Sequence, residues 1–438
     1  MPLVIEGSRP LKGHVHISGA KNAALPIIAA TLLTSDECLL EGIPYIEDIR
    51  NMVRLLHHLG VAARFEGNNR LRIRATRISK SYLPTDIATT MRASFLCVGP
   101  LLSRFGQATA PHPGGCSIGT RPVSVDLKGF QAMGGTTEFD RETYTIKSRR
   151  LQGQTLILDY PSHTGTENLL MAACLADGIT IIENASLEPE ICDLADFMRA
   201  MGARIHGVGT HTIRVDGVRR LHGTVYRIMP DRMEAGTFAL GALITGGAVS
   251  MPAVVNHWIS ALRSRMEQAG AQITLGSDTL HVAAPRHLKP TDIQTYPYPG
   301  FPTDLQAPFT TTMTQAQGNS SVVETMFDGR LGYADQLAHM GAQIEVSSSG
   351  RQAMVHGPTP LTACDVQALD IRSGAAMVLA GLAAEGTTRI GNVHFIDRGY
   401  ENIEQKLNAL GAKVSRDAEQ EPGCPQLPCD APVEWQPS

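Results

Sequence analysis

An α/β fold is predicted, built as two similar domains facing a shared cleft. Three observations carry that prediction. A phrase made of an apolar helical turn, a Gly, a small residue and an alternating stretch recurs six times along the chain. A second phrase, an Ala- and Gly-rich apolar helix running into a strand, interleaves with it. The 438 residues, 43% hydrophobic and 18% charged, are enough for large cores, which excludes a disordered or collagen-like chain.

The first phrase reads LLHHLGVAARFEG around Gly60, GFQAMGGTTEF around Gly134 and DFMRAMGARIHG around Gly202. It returns as RMEQAGAQITLG around Gly270, QLAHMGAQIEVS around Gly341 and KLNALGAKVSRD around Gly411, at spacings of 74, 68, 68, 71 and 70 residues. Gly suits the left-handed position that ends a helix, and the period-two stretch after it fits a half-buried strand. The second phrase begins at Lys21, Thr89, Gly165, Glu234, Leu305 and Arg372. Small residues let its helices pack closely inside, while the charged helices of the first phrase lie outside. Units of about 70 residues exceed the roughly 20–50 residues of solenoid repeats. Three units per globule in two globules fit better, with the break near Ile228–Asp231.

A formal charge of −4 gives no general reason to expect nucleic acid or an anionic membrane. The basic residues are 30 Arg and 8 Lys. Arg offers a rigid fork for carboxylates and phosphates, and a GC-rich genome explains the same skew. Eight scattered cysteines without paired CxxC spacing make neither a disulfide scaffold nor a zinc site. MPLVIEGSRPLKG lacks a signal-peptide layout. Ala235–Val255 is uncharged but broken by Gly246, Gly247 and Pro252, so it reads as a buried helix and strand rather than a membrane span. A soluble protein of a reducing compartment is expected.

The loop PHPGGCSIGTRP (111–122) surrounds Cys116 with Gly and Pro and places Arg121 five positions later. A thiolate favoured by the guanidinium and an inert cysteine in a turn both fit these residues. Other charged residues gather at helix starts. Lys21 and Asn22 open the first inner helix, Arg92 lies in the second, and Asp231, Arg232 and Glu234 open the fourth. Asp304 precedes the fifth, Arg372 opens the sixth, and Arg398 sits on the loop after the following strand. A cation at a helix N-terminus is costly unless an anion joins it. One such residue reads as a solvated cap or ion pair, but their recurrence predicts a cationic cleft accepting a phosphate and a carboxylate.

These motifs carry a resemblance. SGAKNAALP (18–26), TMRAS (90–94), PGGCSIGTRP (113–122), EPEI (188–191), PDRMEAGTF (230–238), FPTD (301–304) and DRGYENIEQKLNALGA (397–412) resemble the UDP-N-acetylglucosamine 1-carboxyvinyltransferase family. The likeness runs from about residue 1 to 417. It implies two inside-out α/β barrels, each with threefold pseudo-symmetry, residues 21–229 forming one and residues 1–20 with 230–417 the other. It implies transfer of the enolpyruvyl group of phosphoenolpyruvate to a sugar hydroxyl through a tetrahedral intermediate, with release of phosphate and no metal or organic cofactor. That reaction opens peptidoglycan synthesis, and hence cell-wall biogenesis and cell shape, in the cytoplasm.

By matched position, Cys116 handles the proton at C3 and is the fosfomycin target, and Asp304 serves the acceptor hydroxyl as base. Lys21, Arg121 and Arg398 clamp phosphoenolpyruvate, with Arg92, Arg330 and Arg372 close by, and Asn22 touches the acceptor. Pro122, Val123, Ser124, His163, Thr164 and Gly165 fall on the nucleotide-sugar side, and Glu188 and Asp231 at the domain junction.

Two stretches depart from the family pattern. RPVSVDL carries Ser124 where an aspartate reads the uracil, and SHTGTEN (162–168) replaces an SVGA-like string. Donor chemistry is thus expected intact, while the acceptor stays open between UDP-N-acetylglucosamine and, for a paralogue of secondary metabolism, a nucleotide such as UMP. The sibling 3-phosphoshikimate enzymes lack the PGGC loop, and a non-catalytic binding protein has no reason to keep Cys116, Asp304 and the Arg set together. Residues 418–438, with Cys424 and Cys429, are expected to be a disordered tail.

Overall fold

The computed structural model describes residues 1–114, 122–140 and 142–417. Cys116, Arg121 and the 418–438 tail lie outside the described residues. Each of the first five predicted units appears as an inner helix, a strand, an outer helix and a hairpin, and in the sixth the outer helix leads into one strand, Lys413–Arg416. Among the described residues five sheets have four strands and the sheet holding Gln107–Pro111 has three. These are open, mixed sheets. In the third unit Ile179–Glu183 pairs antiparallel with Thr212–Asp216 and parallel with Thr155–Ile157, and the other four-stranded sheets follow the same plan.

All six repeat glycines take the left-handed conformation, Gly60 and Gly134 at φ 90°, Gly202 at 98°, Gly270 and Gly341 at 96° and Gly411 at 93°. Each ends an outer helix and lets the chain reverse into the strand that follows.

The inner helices are buried nearly all round. Lys21–Ala30, Val98–Phe105 (after the 3₁₀ turn Arg92–Cys97) and His163–Ala173 form one set; Arg232–Ile244, Gln306–Met313 and Ile371–Ala383 form the other. Small residues make the approach possible. A Cβ on Gly99 would stand 2.5 Å from the Asn168 carbonyl oxygen. Two groups of core side chains result, one running from Ala20 to Met229, the other joining Leu3–Ile17 to Met233–Val414.

The N-terminal segment completes the second set. Leu3–Glu6 lies antiparallel between Thr387–Gly391 and Lys413–Arg416, and Lys12–His14 runs parallel to Ala248–Pro252. The chain then crosses to the first set beside its own return. The Ala20 amide donates to the Met229 carbonyl, and the Asp231 amide to that of Ser18, both at 2.8 Å. This double crossing brings the N-termini of the first and fourth inner helices together. Among the described residues no helix is long and apolar enough to cross a membrane.

Candidate active site

The crossing residues are also the site's first residues. Asp231 caps the fourth inner helix by accepting from the Met233 and Glu234 amides at 2.7 and 3.0 Å. Its other oxygen accepts from the Lys21 amide at 3.1 Å. One carboxylate thus closes two helix N-termini from different core groups, leaving the Lys21 side chain to point elsewhere.

The Lys21 ammonium reaches Asp48, 3.5 Å away, on the first turn of the outer helix Glu47–His58. Arg398 Nε donates to the other Asp48 oxygen at 2.7 Å. Asp48 therefore joins a cation from each core group, and its side chain is only 4% exposed. Asp48 carries no distinguishing signal in the sequence, because an acid in a helix's first turn is fully explained by the helix dipole. Arg398, expected on a loop, ends the single helical turn His394–Asp397, too short to leave a periodicity.

Asp304 lies on the 3₁₀ turn Thr303–Leu305 that leads into the fifth inner helix. Its two oxygens accept from Arg330 and Arg372, each at 2.8 Å. The two Arg side chains are 3% and 4% exposed, whereas Asp304 keeps 27%, so the carboxylate is the face this group turns to solvent. Burial disfavours its charge, but Arg372, Arg330 and Lys21 outweigh that and hold it well below the usual carboxylate range. Arg372 is oriented in turn by Tyr400, whose hydroxyl accepts from it at 3.2 Å and bonds Thr237 at 2.9 Å. Tyr400 and Thr237 carried no sequence signal beyond their place in the motifs.

A second group gathers at the other predicted residues. Arg92 donates to the Pro122 carbonyl at 2.9 Å and, with Val123 and Thr164, lines a narrow crevice floored by Asp126 and Asn168. The Asn168 amide donates to Asp126 at 2.8 Å and to the Phe95 carbonyl at 3.1 Å, while its oxygen accepts from the Gly99 amide. Burial pushes the Asp126 carboxyl up to about 6. Ser124 and His163 each open a helix, and Gly165 donates its amide to the Ser162 cap at 3.1 Å. Asn22 follows Lys21, half-buried.

A further set of charges is largely buried. His163 Nε2 stands 3.0 Å from buried Glu167. Burial opposes the imidazolium, but Glu167, Glu188 and Glu190 outweigh it and push His163 up to about 10. Arg232 binds Glu190 through two bonds of 2.9 and 3.1 Å, under the Tyr298 ring. Glu188 caps the helix Pro189–Ala200 and accepts from the Ser186 hydroxyl. Among the described residues no three His, Cys, Asp or Glu side chains converge to hold a metal.

The described site is therefore a cationic group of Lys21, Arg330, Arg372 and Arg398 around two carboxylates, Asp48 and Asp304. Such an arrangement binds a small polyanion and keeps a carboxylate ionised beside it.

The sequence and the fold are similar to those of known proteins. The sequence model of EPSP synthase (3-phosphoshikimate 1-carboxyvinyltransferase) matches residues 5–407. The UDP-N-acetylglucosamine 1-carboxyvinyltransferase 1 of Caldanaerobacter subterraneus subsp. tengcongensis is 46% identical over 94% of this chain and 99% of its own. The enzyme of that name in Magnetococcus marinus is 45% identical over the same shares. Among solved structures, the enolpyruvyl transferase NikO of Streptomyces tendae superposes with a TM-score of 0.85 at 23% identity, covering 94% of this chain and 98% of its own. EPSP synthase of Acinetobacter baumannii gives 0.73 at 19%, covering 95% and 100%. Sequence, fold and matched motifs together make this chain a member of the EPSP synthase family and, within it, of the UDP-N-acetylglucosamine 1-carboxyvinyltransferases.

Proposed function

We propose that this protein transfers the enolpyruvyl group of phosphoenolpyruvate to the 3-hydroxyl of UDP-N-acetylglucosamine and releases phosphate. One observation carries the reading: Asp304, held ionised by Arg330 and Arg372, shares a site with the Lys21–Asp48–Arg398 bridge between the two core groups. The relatives, 42–46% identical, favour this acceptor over UMP.

In this reading Lys21, Arg398 and Arg121 hold the donor's phosphate and carboxylate, with Arg330 and Arg372 alongside. Asn22 touches the acceptor. Asp304 takes the proton from the acceptor hydroxyl as its oxygen adds to C2 of the donor, while Cys116 gives a proton to C3. Loss of a C3 proton and of phosphate then restores the double bond. Donor binding also tunes the base. Asp304 is held too acidic by its cations to pull a proton readily, and the donor's negative charge offsets those cations. Arg92, Pro122, Val123, Ser124, His163, Thr164 and Gly165, gathered around the narrow crevice, face the nucleotide. Asp231 fixes the crossing that aligns both sides.

The division of the chain into 21–229 and 1–20 with 230–417 is supported by the two core groups. A cytoplasmic place in peptidoglycan synthesis follows from the substrates, and alkylation of Cys116 by fosfomycin from the matched loop.

The test is phosphate release from phosphoenolpyruvate with UDP-N-acetylglucosamine, UMP and shikimate 3-phosphate as competing acceptors. Release is expected with the first. Silence with it defeats this acceptor, and silence with all three defeats the enzyme reading.

A further inference from the structure

A cavity of about 280 Å³ lies apart from the Asp304 group, at the double crossing of the chain. Its walls come from both core groups: Glu41, Asn68, Arg70 and Arg227 on one side, His16 and Glu401 on the other. None of these residues has a part in the proposed reaction.

Its charges are unevenly satisfied. Glu401 is fully engaged, one oxygen accepting from the Tyr45 amide and the Asn69 side chain at 2.7 Å each, the other from the Ser18 hydroxyl. Glu41 alone answers two guanidiniums, Arg227 at 3.2 Å and Arg70 Nε at 3.5 Å. The Arg70 contact is too long for a good hydrogen bond, and this Nε is shielded from solvent without a hydrogen-bond partner. An orphaned donor of that kind costs about 1–3 kcal/mol, so Glu41 holds this guanidinium only weakly. The Arg70 and Arg227 side chains are 42% and 75% exposed. Exposed pairs are worth only about 0–1 kcal/mol, so a ligand displaces them cheaply. The volume suits a small ion with a few waters, at about 30 Å³ each, and falls just short of the roughly 300–1,000 Å³ of larger ligand sites.

We propose that this crevice is a second anion site, taking a small oxyanion of the phosphate or carboxylate class between Arg70 and Arg227. Guanidinium forks match such oxygens, and one shared carboxylate leaves donor capacity over. Glu401 follows Arg398 by three residues, so an occupant also touches the segment carrying a donor-clamp residue.

The test is equilibrium binding of inorganic phosphate to the full chain by calorimetry. It compares wild type with Arg70→Gln/Arg227→Gln and with Glu41→Gln, all of which leave the Asp304 group untouched. The double variant is expected to lose one binding event, or to weaken it at least tenfold, while keeping its circular dichroism. Glu41→Gln frees both guanidiniums and is expected to tighten that event severalfold. Phosphate isotherms identical across the three proteins, or a Glu41→Gln variant that binds more weakly, overturn the proposal. Acetate run in parallel separates a general oxyanion site, which takes both, from one that needs a dianion. The readout needs no turnover, so a chain that binds phosphate here yet transfers no enolpyruvyl group defeats the proposed function and leaves this site standing.

Discussion

The Asp304 group and the Arg232–Glu190 pair are both built from arginine and carboxylate, both near the junction of the core groups, and they are opposites. Arg232 and Glu190 are 5% and 1% exposed and bind one to one in a bidentate fork. Asp304 is 27% exposed and answers two guanidiniums at once. A sealed, matched pair satisfies itself and leaves nothing for a ligand. An open carboxylate outnumbered by the buried cations behind it leaves positive charge in excess, which draws a polyanion to the open face. Stoichiometry and exposure, more than residue type, separate a joint from a site.

The largest expected effect breaks the open group. Asp304→Asn removes the base, and turnover should fall about 10²–10⁴-fold, the usual worth of general acid–base catalysis. The fold should hold, since the amide oxygen still accepts from one of the two guanidiniums. Steady-state kinetics beside thermal unfolding would show it. A large drop in stability at full activity would instead make Asp304 a joint like Glu190.

Glu190→Gln should do the reverse. Removing one charge of a sealed pair leaves the other stranded, at about 3 kcal/mol of unfolding free energy. Replacing both residues by Met should recover most of that loss, because two buried ions carry a desolvation cost that two apolar side chains do not. Urea unfolding of the single and double variants decides this. An additive double variant would mean the pair is not a unit.

Asp48 stands between the extremes, buried like the pair but shared like the site. Asp48→Asn should raise KM for phosphoenolpyruvate about tenfold, with a smaller change in kcat, because Lys21 and Arg398 lose the anchor that joins them. Equal falls in kcat and kcat/KM would show that Asp48 acts only in the transition state.

The same contrast explains what the sequence disclosed. The six repeat glycines were legible because a left-handed helix end selects Gly wherever it occurs, and their φ values of 90–98° bear that out. Local chemistry likewise exposed the charged helix starts. The third strand of the sixth sheet was not legible, since Leu3–Glu6 fills it from the far end of the chain. Glu190 and Arg232 are 42 residues apart, and Asp48 and Arg398 are 350 apart. Each has a sufficient local reading as a first-turn acid or an exposed base, so only the fold reveals the partnership. Asn168 was hidden inside an apolar helix, where its three hydrogen bonds to Asp126, Phe95 and Gly99 leave no periodic trace.

A final test asks whether protons reach His163, whose side chain at 27% is as exposed as that of Asp304. His163 is pushed from the ordinary imidazole value of 6.5 to about 10 by the carboxylates around it. A folded value above the unfolded one means that folding takes up a proton. The stabilisation is fully present below about pH 6.5 and is lost as the pH rises toward 10. Unfolding free energy should therefore decline between those limits by at most about 1.4 kcal/mol per pH unit. In His163→Gln that slope should flatten, because the variant has no proton to lose there. Urea midpoints of both proteins at pH 6, 7.5 and 9 measure the difference. Parallel slopes would show that His163 titrates like a solvent-exposed imidazole, and that water and protons reach this region as freely as they reach Asp304.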